Sequence, residues 1–139
     1  MEILKVEDLS FKYPDCGEPA VKNVSFSIER GEFTVLCGAT GSGKSTLLRM
    51  LKPQLTPLGE LSGEICFNGQ SLAGLDAKTS AAAVGFVMQK PEQQIVTDKV
   101  WHELAFGLEN LGIPQETIAA RVAEMANSFG MTEWFSSDV

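Results

Sequence analysis

Nine consecutive residues, Gly38-Ala39-Thr40-Gly41-Ser42-Gly43-Lys44-Ser45-Thr46, constrain this chain more than any other feature. They satisfy G-x-x-x-x-G-K-[ST], a pattern that acts only where a strand feeds a helix through a tight loop. The glycines admit positive φ and a close backbone approach, so successive N–H groups can turn inward around phosphate oxygens. The N-terminus of the following helix adds unpaired N–H groups and the positive end of its dipole. Lys44 supplies a point charge for β- and γ-phosphates. The Ser45 hydroxyl suits Mg²⁺, which takes few protein ligands besides phosphate oxygens. A glycine loop with an incidental lysine has no reason to lie between an apolar strand and an apolar helix, as this one does. The loop therefore predicts ATP with Mg²⁺ as the ligand and an α/β fold of the P-loop type.

The surrounding pattern supplies that context. Residues 2–13 alternate loosely through Ile3, Val6, Leu9, Phe11 and Tyr13, which predicts a strand broken near Asp8. Pro14 to Pro19 is turn chemistry, and Val24, Phe26 and Ile28 mark a second strand. Phe33 to Cys37 is a short apolar run of the kind buried on both faces of a parallel sheet. Ser45 to Lys52 predicts a helix with Leu47, Leu48 and Leu51 inward, ended by Pro53. Glu64 to Asn68 is a further strand closed by an Asn68-Gly69 turn, Asp76 to Ala82 one or two helical turns, and Val84 to Met88 another apolar strand. From Thr97 the period becomes helical. Val100, Trp101, Leu104, Leu108 and Leu111 share one stripe, with Thr97 as cap and Gly112 as stop. Pro114 opens a second helix with the stripe Ile118, Val122, Met125, Ala126 and Phe129, stopped by Gly130. The pair reads as an αα-hairpin. Two regions follow: 1–94, a β region with the partial nucleotide-binding core, and 95–139, the start of a helical subdomain.

Composition excludes several classes. The chain has 139 residues, 44% hydrophobic and 21% charged, ordinary values for a globular domain. With 11 basic against 18 acidic residues and a net charge of −7, it lacks the basic footprint that nucleic-acid binding requires. No apolar run approaches the ~18–20 residues that cross a bilayer, and the first residues do not form a secretory leader. Cys16, Cys37 and Cys66 are widely spaced and read as reduced, mostly buried thiols. His102, the only histidine, reads as a surface residue.

Beyond the loop, the chain resembles the ATP-binding subunits of ABC transporters from Leu4 to Phe135. Phe11-Lys12-Tyr13-Pro14 resembles the family's aromatic loop. Asn23 to Glu32 resembles the lead-in to the P-loop strand, and Ser62 to Gly69 the strand and turn that follow the loop helix. Val84-Gly85-Phe86-Val87-Met88-Gln89 resembles the entry to the Q-loop. Gln89 to Val96 together with Glu103 to Asn110 is similar to the ATPases of energy-coupling-factor importers, which take up vitamins or metal ions. The resemblance implies that Tyr13 stacks on adenine and that Gln89 serves near Mg²⁺ and the attacking water. A carboxamide suits that role because it can donate and accept without adding charge. It implies transmembrane subunits and a second ABC ATPase module as partners, and a peripheral place on the cytoplasmic face of the membrane.

Three family elements are not found in these residues. No run of four apolar residues ends in Asp followed by Glu, as the Walker B strand requires, and the switch histidine is missing. Leu61-Ser62-Gly63-Glu64 imitates the start of the Leu-Ser-Gly-Gly-Gln signature. However, Glu64 puts a carboxylate where phosphate would lie, and the segment leads into a strand, whereas the signature opens a helix. The expectation is a truncated module: less stable than the full one, binding nucleotide at most weakly and not turning it over. Two other readings make different demands on the sequence. A non-transport ABC protein acting as an ATP-dependent conformational switch usually carries two modules and often a charged arm. A metabolite kinase would need an arginine clamp, which the scattered Arg30, Arg49 and Arg121 do not form.

Overall fold

The alternation at the start of the chain builds an antiparallel sheet. In the computed structural model, which describes residues 1–139, β1 (Glu2–Lys12) pairs antiparallel with β2 (Val21–Glu29) and with β3 (Glu60–Phe67). The short β4 (Gln70–Ser71) extends the sheet in the order β2-β1-β3-β4. The predicted break near Asp8 is a bulge within a continuous strand. Asp8 has φ +46°, and the register slips there against both neighbours. Its N–H donates to Ser25 Oγ at 2.8 Å. Opposite stands Gly63, with φ +90°, where a β-carbon would lie 2.5 Å from the Glu7 carbonyl oxygen. This explains the glycine in the signature-like Leu61–Glu64: the bulge needs it. Asn68 and Gly69, with φ +49° and +76°, form the tight turn expected of Asn-Gly.

Contacts divide the chain into two compact units, Met1–Val84 and Gly85–Val139. The first has a core of Val6, Leu9, Phe11, Val21, Leu47, Met50, Ile65 and Leu72. Burying a side chain of this size stabilises by about 1.5–3 kcal/mol. Helix α1 (Lys44–Met50) contributes Leu47 and Met50, whereas Leu48, expected inward, is 45% exposed. Helix α2 (Ala77–Ala83) starts at Asp76, whose carboxylate accepts from Thr79 N–H at 3.0 Å. It ends on the Lys52 ammonium, which donates to the carbonyls of Ser80 and Val84 at 3.0 and 2.5 Å.

The second unit is the expected helical hairpin, α3 (Val100–Asn110) and α4 (Gln115–Ser128). Its core is Ala105, Ile118 and Val122, with Leu104, Leu108, Ile113 and Phe135 packed against them. Gly112 and Gly130, at φ +70° and +66°, end the two helices as expected. The cap of α3 differs from the expectation. Lys99 stands at the cap position without a side-chain bond to the helix's N–H groups, its ammonium donating instead to Asp138 Oδ1. Thr97 is instead held from inside the helix, because its N–H and hydroxyl both donate to Glu103 Oε2, at 3.0 and 2.9 Å. Trp101, Met125 and Phe129 of the two expected stripes are 40%, 46% and 73% exposed.

Two expected strands are not strands. Residues 33–37 and 84–88 join no ladder; Phe33 is 90% and Val87 76% exposed. An apolar run can be buried on both faces only if other strands pair beside it, and no segment of residues 1–139 does so. Segment 33–37 instead lies open above an apolar groove of about 360 Å³ lined by Val24, Phe26, Ile28, Val35, Leu47 and Leu51. For the same reason Cys37 is exposed. Cys16 is exposed too and Cys66 half-buried, so the thiols are free but not mostly buried.

Candidate functional site

Between the open segment and α1 the backbone makes the turn that the motif demands. Gly41 and Gly43 have φ +82° and +85°, a region costing a non-glycine residue roughly 1–2 kcal/mol. Gly43 is also the N-cap of α1 and offers no side-chain acceptor to the helix's first N–H groups. Those donors point where an anion would stand. Space enforces glycine at Gly43 as well, since an added β-carbon would lie 2.2 Å from the Ala20 carbonyl oxygen. At Gly41 an added β-carbon meets nothing within 4 Å, so there backbone conformation alone requires glycine.

Lys44 curls over the loop it follows. Its ammonium donates to the carbonyls of Gly38 and Ala39 at 2.8 and 2.7 Å and to Ser42 Oγ at 3.3 Å. All three ammonium donors are engaged, and the long bond to Ser42 is the one a phosphate oxygen could most readily replace. The Ser42 amide closes the loop on Ala39 O at 3.2 Å. Ala39, Thr40 and Ser42 are exposed on this turn, as is Ser45, so its hydroxyl is open to a ligand. Thr46 faces the other way and is 8% exposed. The residues fit a phosphate chain with a shared divalent ion: uncapped N–H groups at the start of α1, one ammonium and one exposed hydroxyl, with no carboxylate hydrogen-bonded into the loop.

Tyr13 follows the end of β1. Its ring packs edge-to-face on Phe11, centroids 4.9 Å apart and planes at 88°. Its hydroxyl is hydrogen-bonded to Thr46 Oγ1 at 3.0 Å. The structure thus brings Tyr13 and the residues Gly38–Thr46 together in the first unit. Gln89 lies in the second unit, exposed, at a bend following residues 84–88. His102, half-buried, stacks on Trp101 with ring centroids 5.0 Å apart.

Sequence reasoning missed Gln94. Its amide accepts from Met88 N–H at 2.6 Å and donates to Phe86 O at 3.0 Å, pairing with segment 86–88 much as a neighbouring strand would. Glu103 was also missed. Burial acts to raise the pKa of its carboxyl, but bonds from the Thr97 and Val96 N–H groups and the Thr97 hydroxyl prevail and leave it below the ordinary value. An acid four residues into a helix was the available signal.

Residues 21–139 match the family model described as ABC transporter. A Bacillus cereus protein provisionally named an ABC transporter ATP-binding protein is 41% identical over 135 residues, 97% of this chain and 24% of the relative. The energy-coupling factor transporter ATP-binding protein EcfA1 of Lactobacillus gasseri is 41% identical over 136 residues, 98% of this chain and 48% of the relative. Among solved structures, cbiO1 of Clostridium perfringens, part of the ABC transporter complex cbiONQ, superposes with a TM-score of 0.80 at 30% identity. That match covers 99% of this chain and 54% of cbiO1. The chain thus spans about half the length, or less, of the relatives it matches.

Proposed function

This chain belongs to the ABC transporter family, and from that we propose that it forms the ATP-binding part of an ATPase driving import of a small solute, a vitamin or a metal ion. The observation that carries the reading is the Gly38–Thr46 loop, with Lys44 already drawn over it by Gly38 O and Ala39 O. N–H groups of residues 43–46 would hold the phosphates, Lys44 would neutralise the β- and γ-oxygens, and Ser45 would be the protein ligand of Mg²⁺. Bound there, Mg²⁺ would supply charge neutralisation for transfer of the terminal phosphoryl group. Tyr13 would offer its ring to adenine, and Gln89 would orient water beside the metal ion.

Residues 1–139 include neither a Walker B carboxylate pair nor a signature segment, so these residues alone would bind nucleotide weakly and not turn it over. Hydrolysis would belong to a longer assembly containing a second ATPase module and transmembrane subunits, with this chain on the cytoplasmic face of the membrane. No helix here is long and apolar enough to cross a membrane itself. The restriction to vitamin or metal-ion import rests on the resemblance of Gln89 to Val96 and Glu103 to Asn110 to energy-coupling-factor importers, and a relative named as an energy-coupling factor transporter ATP-binding protein supports that narrower family. The test is to isolate the protein carrying this sequence from its native cells in mild detergent. Co-purifying membrane proteins, with ATP hydrolysis that depends on them, are expected; co-purifying ribosomes or DNA would instead favour an ATP-driven switch on a soluble assembly.

A further inference from the structure

We propose that Tyr13 acts on the phosphate end of the site through its hydroxyl, as a positioning residue for the first turn of α1. The inference rests on the nucleotide reading but adds to it, since adenine stacking needs only the ring. The hydroxyl is committed elsewhere: it bonds Thr46 Oγ1 at 3.0 Å across 33 residues of sequence. Thr46 is the third residue of α1, directly after Lys44 and Ser45, and is 8% exposed, so little water competes for that bond.

The anchor is firm at its other end. The Tyr13 ring rests on Phe11, which is 1% exposed, and its carbonyl accepts from Cys16 N–H at 3.3 Å. The far end of the same turn is fixed as well. Ala20 N–H donates to Phe11 O at 2.8 Å, and the Ala20 carbonyl packs against Gly43 closely enough to exclude a β-carbon. The turn between β1 and β2 therefore grips the start of α1 at two points, Ala20 on Gly43 and Tyr13 on Thr46. Only the second is a directional bond. Together they hold residues 43–46 in place against the sheet, where their N–H groups and the side chains of Lys44 and Ser45 would meet phosphate. Loss of the hydroxyl frees that turn and weakens phosphate binding whether or not a base is present.

The experiment is calorimetric titration of the whole chain with Mg-ATP and with Mg-tripolyphosphate, which has no base to stack. Tyr13→Phe keeps the ring. It is expected to weaken both ligands by a similar factor, roughly two- to tenfold, the range for one hydrogen bond. Thr46→Val should weaken both as well, Thr46→Ser should recover most of that loss, and the Tyr13→Phe/Thr46→Val double variant should bind no worse than Thr46→Val alone. Tripolyphosphate affinity unchanged in Tyr13→Phe, or losses that multiply in the double variant, would overturn the inference. Should Tyr13→Phe fail to fold, the Thr46 pair decides: Ser no better than Val overturns it. Lys44→Ala separates the two readings. If it weakens binding while Tyr13→Phe does not, only this inference fails; if the chain binds neither ligand, the nucleotide reading fails with it.

Discussion

The Ala20 carbonyl oxygen stands 2.2 Å from the point a β-carbon on Gly43 would occupy. Gly43 also has φ +85°, so Gly43→Ala meets conformational strain and a backbone collision together. The expected loss is about 2–4 kcal/mol, read from urea unfolding followed by far-ultraviolet circular dichroism. Gly41→Ala has the strain without the collision and should lose only about 1–2 kcal/mol.

Lys52 closes the C-terminus of α2 by donating to Ser80 O and Val84 O. Lys52→Met keeps most of the aliphatic stem and removes both bonds, at a cost of about 1.5–3 kcal/mol. Hydrogen exchange should show the loss concentrated in residues 77–84, with the β1–β3 pairing still protected.

Open and buried apolar side chains should respond in opposite ways. Phe33 is 90% exposed and Leu47 7%. Phe33→Ser should change the stability of this chain by less than about 0.5 kcal/mol, whereas Leu47→Ala should lose about 2–5 kcal/mol. Comparable losses at the two positions, measured by urea unfolding, would mean that segment 33–37 is packed after all.

That contrast shows where the sequence was legible. Glycine and proline signals located the loop, the Asn68-Gly69 turn and the ends of α3 and α4, and the interrupted alternation of residues 2–13 located the bulge near Asp8, because each depends on local backbone geometry. Ile118 and Val122 marked the hairpin core because their spacing repeats at the helical period. Residues 33–37 and 84–88 were misread because an apolar run states only that burial is favourable, not which neighbour supplies it. The Tyr13–Thr46 and Gln94–Phe86 bonds left no signal, since an isolated polar side chain does not announce a partner many residues away. The family match accounts for the loop and for the overall element order.

Glu103 makes the second unit sensitive to acid. Burial opposes its charge, but the Thr97 and Val96 N–H groups and the Thr97 hydroxyl hold its carboxyl below the ordinary 4.5. A depressed folded pKa contributes stability that is present above pH 4.5 and lost as pH falls through the lower folded value. Glu103→Gln should therefore be less stable at neutral pH and show a shallower acid limb. Trp101 and Trp134 both lie in this unit, so intrinsic fluorescence reports on it directly.

The central claim is that residues 38–46 bind the phosphates of ATP, with Lys44 as the principal charge. The most direct measurement is the Mg-ATP dissociation constant of this chain and of Lys44→Ala under identical conditions. Loss of a charged donor to phosphate predicts roughly ten- to hundredfold weaker binding in the variant, with the circular dichroism spectrum unchanged. Equal affinity in the two proteins would contradict the account.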